Sequence, residues 1–333
     1  MKSSPVYVLV AFLVLACFTP RASAQQYTVT NLGGLTGFTY TSPSAINNLG
    51  QVVGEATKSD FSTTHPFRTA PNSPINPATD DLGVPTGAKS ASANDINDSG
   101  QVIITASGYT DFSAHAFRLD PGNPTLVDLG LRSVVGNFIN SAFANGINGT
   151  GQVTGAATAT PAAGCFDIFS SRPFRTTADG GVASADDLGT LDQTYGSTVV
   201  QNCRSGVGFG INASGQVVGD ADVGNLLDPD SHAFLATPGS AMQDLGTLGG
   251  ARSTAWSIND AGQIVGDSQY PDSPYPYDTH AFFIDTNSTM QDIGTLGGSS
   301  SSAQHINNLG QVVGSPPWQA MPPVMHSSIK TGR

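Results

Sequence analysis

Apolar residues in this chain come in short bursts separated by Gly, Asn, Ser, Thr and Pro, and no stretch sustains helical spacing. Runs such as QVVG at 51–54 and AFFI at 281–284 are continuous rather than alternating, which predicts strands covered on both faces. One burst recurs. The pattern I-N-x-x-G-Q begins at Ile46, Ile96, Ile147, Ile211, Ile258 and Ile306, at spacings of 50, 51, 64, 47 and 48 residues. The first and last copies share the same nine residues, INNLGQVVG. β-prone residues flank each Asn-x-x-Gly. The Asn side chain can bond forward to the backbone, and the Gly can turn left-handed without steric cost, so each copy predicts a hairpin.

Two further phrases keep step. HPF, HAF or RPF stands at His65, His115, Arg172, His232 and His280; DLG or DIG stands at Asp81, Asp128, Asp187, Asp244 and Asp292. Each repeat therefore predicts four short antiparallel strands, a to d. Four strands in about 47–51 residues fit a propeller blade. The expected fold is all-β, a β-propeller of six four-stranded blades. YTVTNLGG at 27–34 reads as a strand d without a blade of its own, placed to complete the last blade and close the ring, which would remove exposed edges. The last repeat has no HAF phrase. Its tail, SPPWQAMPPVMHSSIKTGR, carries four prolines and is a poor strand, with Trp318–Met321 the candidate third strand and an imperfect ring the alternative.

These phrases resemble the HAF-repeat family of extracellular bacterial proteins. The likeness is closest in MQDLGTLGGARSTAWSINDAGQIVGDS and MQDIGTLGGSSSSAQHINNLGQVVG and covers nearly all of residues 27–315. The resemblance implies a repeat scaffold and export. It implies no reaction and carries over no catalytic residue.

Export is also legible in the N-terminus. Lys2, an apolar run over 6–18 and the small residues Ala22-Ser23-Ala24 predict a signal peptide over 1–24, cleaved before Gln25. The run is short for a transmembrane span, and VLAC is a poor lipobox, so secretion is preferred over a lipid anchor at Cys17. Residues 25–315 then form the propeller and 316–333 a divergent Pro-rich tail. Cleavage moves the formal charge from −12 to −14, which speaks against nucleic acid or an anionic membrane as partner. A monomer that meets an extracellular glycan or protein fits this chain better.

The a–b turns are uniform in length, whereas the b–c and d–a connections vary, so the b–c/d–a face is the expected place for a ligand. Cys165 and Cys203 fall in the two most expanded of these loops and are expected to form a disulfide. GDADVGNLLDPDSH, read as a loop, holds Asp220, Asp222, Asp228 and Asp230, a density of hard oxygen ligands that could bind Ca²⁺; a solvated acidic loop is the simpler reading. Tyr270, Tyr275 and Tyr277, stiffened by prolines, are candidates for a ligand face, with packing on their own blade as the alternative. The repeated histidines sit at equivalent places around a ring and would not converge on a metal, so a hydrogen-bonding role is expected of them.

No catalytic residues or cofactor are assigned. Glu55 is the single Glu, and nucleophile-elbow, zincin, P-loop and dinucleotide motifs are missing. The expected function is a non-catalytic binding or surface-interaction module. The alternative is a propeller hydrolase or lyase acting on extracellular polysaccharide. Polar residues that occur in one blade only and meet at the axis would favour the enzyme; a channel lined by repeated small or apolar residues would disfavour it.

Overall fold

The computed structural model describes residues 31–330 except 112, 124, 131–140, 160–169, 183–185, 192–193, 196–197, 200–204, 226–227, 272–277, 287–288, 296 and 316–327. Among the described residues every long element is a β-strand, and every ladder between strands is antiparallel. Each repeat forms its own sheet. The first holds β1 (Tyr40–Ile46), β2 (Val52–Thr57) and β3 (Thr64–Arg68); the second β4 (Ser90–Ile96), β5 (Val102–Ser107), β6 (His115–Leu119) and β7 (Leu126–Asp128). The third holds β8 (Ala142–Ile147), β9 (Val153–Ala159) and β10 (Ser170–Arg175), followed by a separate small hairpin, β11 (Thr194–Tyr195) with β12 (Thr198–Val199). The fourth holds β13 (Gly206–Ile211), β14 (Val217–Asn225), β15 (Asp228–Ala236) and β16 (Gln243–Asp244); the fifth β17 (Ser253–Ile258), β18 (Ile264–Gln269), β19 (Thr279–Ile284) and β20 (Gln291–Gly294). The sixth holds β21 (Ser302–Ile306), β22 (Gln311–Ser315) and β23 (Ser328–Lys330).

Two expectations need adjusting. The fourth strand shrinks to a single bridge in the first and third sheets, Phe67 to Asp81 and Phe174 to Asp187. The third strand of the sixth sheet comes from Ser328–Lys330, beyond the prolines, where backbone N–H groups are free to pair with β22. Trp318–Met321 lie outside the described residues, as do the signal peptide, Cys17 and residues 27–30.

The turns form as their residues dictate. In every copy the Asn N–H reaches the Gln carbonyl four residues on and the Gly N–H reaches the Asn carbonyl, as in Asn47 to Gln51 and Gly50 to Asn47. The turn glycines have φ between 72° and 82°, from Gly310 and Gly262 at the extremes, a region that penalises a Cβ.

Packing follows the repeat. Of the five phenylalanines of the HAF, HPF and RPF phrases, Phe67, Phe174, Phe234 and Phe282 are fully buried in their sheets and Phe117 is nearly so. A strand-b residue of each sheet then packs on strand a of the next: Val53 joins Ala91, Ala93 and Ile96, and Val265 joins Ala303 and Ile306. At the two ends this contact is unmade. Ile46 is 67% exposed where its equivalents Ile96 to Ile306 are buried, and Val313 is 53% exposed where Val53, Ile103, Val218 and Val265 are fully buried.

Candidate functional site

Strand a of all six sheets surrounds one cavity of about 540 Å³, a volume typical of small-ligand sites. Its wall has two tiers. One is the ring of a–b turns. There the turn Asn bonds its own Gln: Asn148 Oδ1 accepts the Gln152 N–H at 3.0 Å and its Nδ2 donates to Gln152 Oε1 at 2.9 Å. The same Nδ2 also reaches the next sheet. Asn47 donates to the Asn97 carbonyl at 3.0 Å, Asn97 to Asn148 at 3.0 Å, Asn148 to Asn212 at 3.0 Å, Asn212 to Asn259 at 3.2 Å and Asn259 to Asn307 at 3.1 Å. Five identical links thus tie six repeats together around the cavity. Among the described residues Asn307 makes no matching bond to Asn47. The following turn residue adds links at some junctions: Asp98 accepts from Asn48, and Asp260 accepts from Asn308 and from the Ala213 N–H.

The second tier lies two and one residues before each Ile-Asn. The a–b register shifts at the same place in all six sheets, leaving Ser44, Asn94, Asn145, Phe209, Trp256 and Gln304 as bulge residues. A bulge re-aims a side chain, and here five of the six line the main cavity. Gln304 lines a smaller pocket of about 370 Å³, shared with Asn145, Phe209, Trp256 and Ser302. The next position contributes Asp95 and His305 to the main cavity. These residues differ from repeat to repeat while the turn three residues away does not.

The second tier is held firmly. Phe209 and Trp256 pack with ring centroids 4.5 Å apart. The Trp256 indole N–H donates to Asp267, which also accepts from Ser302 Oγ at 2.8 Å. Asn94 Nδ2 donates to the Ala144 carbonyl at 2.6 Å and Asn145 Nδ2 to the Gly208 carbonyl at 2.9 Å. Asp95 accepts the backbone N–H of Ile96 at 2.8 Å and of Ile147 at 3.0 Å. Burial nevertheless pushes its carboxyl up to about 6, the two N–H groups and His305 opposing. Burial, with Asp222 and Asp267 nearby, pushes Asp220 up to about 6 as well. Asp267 is also raised by burial, against the hydrogen bonds from Trp256, Ser302 and Thr279.

Cys165, Cys203, Tyr275 and Tyr277 lie outside the described residues. Tyr270 packs against His280 with ring centroids 4.0 Å apart and the planes tilted by 33°, and it is not part of the cavity wall. GDADVGNLLDPDSH, expected to be a loop, extends the β14–β15 ladder out to Asn225 and Asp228. Its register pairs Asp222 with Ser231 and Val223 with Asp230, so Asp230 faces away from Asp220 and Asp222; the Asp228 side chain lies outside the described residues. No group of three His, Cys, Asp or Glu among the described residues is arranged to hold a metal. The repeated His of strand c pairs with the repeated Asp of its own sheet: His65 with Asp81 at 2.9 Å, His232 with Asp244 at 2.9 Å and His280 with Asp292 at 2.7 Å. His115 stands 3.7 Å from Asp128, and Arg172 takes the same role toward Asp187 at 3.3 Å.

The variable second tier escaped the sequence reading, which looked for variation in loop length. Its signal was compositional: the two positions before each Ile-Asn read SA, ND, NG, FG, WS and QH.

No protein-family model matches the chain, and no curated protein matches it. Solved structures do. A prolyl endopeptidase is similar at 12% identity over 78% of this chain and 35% of its own, with a TM-score of 0.50. A putative TolB from Agrobacterium tumefaciens is 10% identical over 77% of this chain and 81% of its own, at 0.45. A Mycobacterium tuberculosis puromycin-hydrolyzing peptidase is 12% identical over 82% of this chain and 43% of its own, at 0.48. The chain thus spans about a third of the length of the first. At such identity the likeness bears on the fold alone, and the architecture is all-β and propeller-like.

Proposed function

We propose that the chain is an exported six-bladed propeller that binds a ligand in its axial cavity without transforming it. The observation that carries the functional reading is the contrast between tiers. A scaffold repeated six times places its least repeated side chains, from Ser44 to His305, around one cavity. A scaffold that only filled space would repeat them.

A hydrolase or lyase is the second reading, because Asp95 and His305 line the same cavity and a carboxyl holding its proton up to about pH 6 suits a general acid. Three features support binding instead. Both Asp95 oxygens accept backbone N–H groups. Asp98 and Asp260, the other carboxylates on the wall, are engaged in the turn tier. His305 Nδ1 is held on the Ile306 carbonyl at 3.1 Å.

The test incubates the purified chain with panels of polysaccharides, basic peptides and small polar molecules, with and without Ca²⁺. Binding is read on arrays and product by chromatography. Binding without product is expected. Product formation that disappears in Asp95→Asn and His305→Ala would replace this reading with the enzyme.

A further inference from the structure

The cavity wall is rich in hydrogen-bond acceptors. Its side chains include no Lys or Arg, while Asp95, Asp98 and Asp260 contribute three carboxylates and His305 is the one basic group. The amides point the same way. Asn94 and Asn145 each donate one Nδ2 hydrogen to a backbone carbonyl, which can only accept, so the orientation of each amide is fixed. That leaves Oδ1 of both without a donor among the described residues. The Nδ2 groups of the turn asparagines are likewise committed, to the relay and to Gln. His305 donates its Nδ1–H to the Ile306 carbonyl. Trp256 lines the cavity with its indole N–H already given to Asp267. The face of an indole attracts a cation.

Resting on the reading of the cavity as a binding site, we infer that its ligand is an organic ammonium group, of a free polyamine or of a lysine side chain. Three N–H donors on one nitrogen match a wall of carboxylate and amide oxygens. The attached methylenes match the Phe209–Trp256 pair, 4.5 Å apart. An anion would meet three carboxylates and no Lys or Arg on the wall.

The test titrates the full chain with spermidine, with tetralysine, with its fully acetylated counterpart and with glucose, by calorimetry at moderate salt. Asp95→Asn and Trp256→Leu are compared with Asp60→Asn, an exposed loop acid bonded to Ser62 that makes the same change in net charge. Saturable one-site binding of spermidine or tetralysine is expected, at least tenfold weaker in both cavity variants and unchanged in Asp60→Asn. Whichever of the two binds identifies the source of the ammonium. Far-ultraviolet circular dichroism checks that each variant is folded; if one is not, the other decides. Equal loss in Asp60→Asn would show diffuse attraction to an acidic protein and overturn the inference. So would equal binding of acetylated tetralysine, or binding of glucose alone, which would leave the cavity reading standing. No binding by any probe would sink the inference without bearing on other cavity ligands, whereas turnover in the preceding experiment would sink that reading itself.

Discussion

Asn148 and Asn145 are three residues apart on one strand and its turn, line the same cavity and are the same amino acid, yet they belong to different parts of the molecule. Asn148 has a counterpart in every repeat. Its Oδ1 accepts from Thr150 and Gln152, and its Nδ2 joins its own turn to the next sheet. Asn145 has one such counterpart, Asn94; the other repeats carry Ser, Phe, Trp and Gln. Among the described residues its side chain makes one hydrogen bond, to Gly208. The first position is fixed because the architecture is assembled through it. The second is free to vary because the bulge, a backbone feature, forms whatever the side chain.

That contrast can be broken by mutation. Asn148→Ala removes several bonds from a buried turn and leaves backbone groups unpaired. A loss of about 2–4 kcal/mol is expected in urea unfolding. A loss as small as that of a surface residue would mean that the relay does not hold the sheets. Next in size is a charge effect in the variable strand-b position held by Glu55, Thr105, Ala156, Asp220, Asp267 and Ser315. Asp220 keeps its proton up to about pH 6 when folded, against 3.8 as the ordinary value. Between these values the folded state binds more protons than the unfolded, so stability falls as pH rises, and the full cost is present above about pH 6. Asp220→Asn is expected to stabilise by about 1–2 kcal/mol at pH 7.5 and to gain nothing at pH 3.5. A gain that was the same at both pH values would contradict the assignment.

Asn145→Ala sharpens the comparison directly. It should cost about 1 kcal/mol, one half-buried hydrogen bond, while altering the cavity wall. Smallest of all is Asn307→Ala. Asn307 is exposed and passes no link onward, so a change within about 0.5 kcal/mol is expected. A loss matching that of Asn148→Ala would instead show that the sixth junction closes in solution.

The repeat, its strands and its turns were legible because they rest on local chemistry. Asn47 bonds its own turn, Gly50 relieves its own backbone, and Val53 is apolar because a neighbour will cover it. Even the role of the histidines could be read, since a residue recurring once per sheet is bound to serve each sheet. What misled was length. GDADVGNLLDPDSH looked like an acidic loop, but alternation along paired strands sends Asp230 to the other face from Asp220 and Asp222. The loops drew attention because they vary in length, while the cavity is lined by positions that vary only in kind.

Sequence alone determined that six similar hairpins would form, because each hairpin's reasons lie within about ten residues. It could not decide which side chains share a space. Ser44, Asn94, Asn145, Phe209 and Trp256 are dozens of residues apart in the chain and meet because one bulge, at one register position, turns five of them to a common cavity. That meeting depends on the packing of whole sheets against one another, which no single repeat encodes.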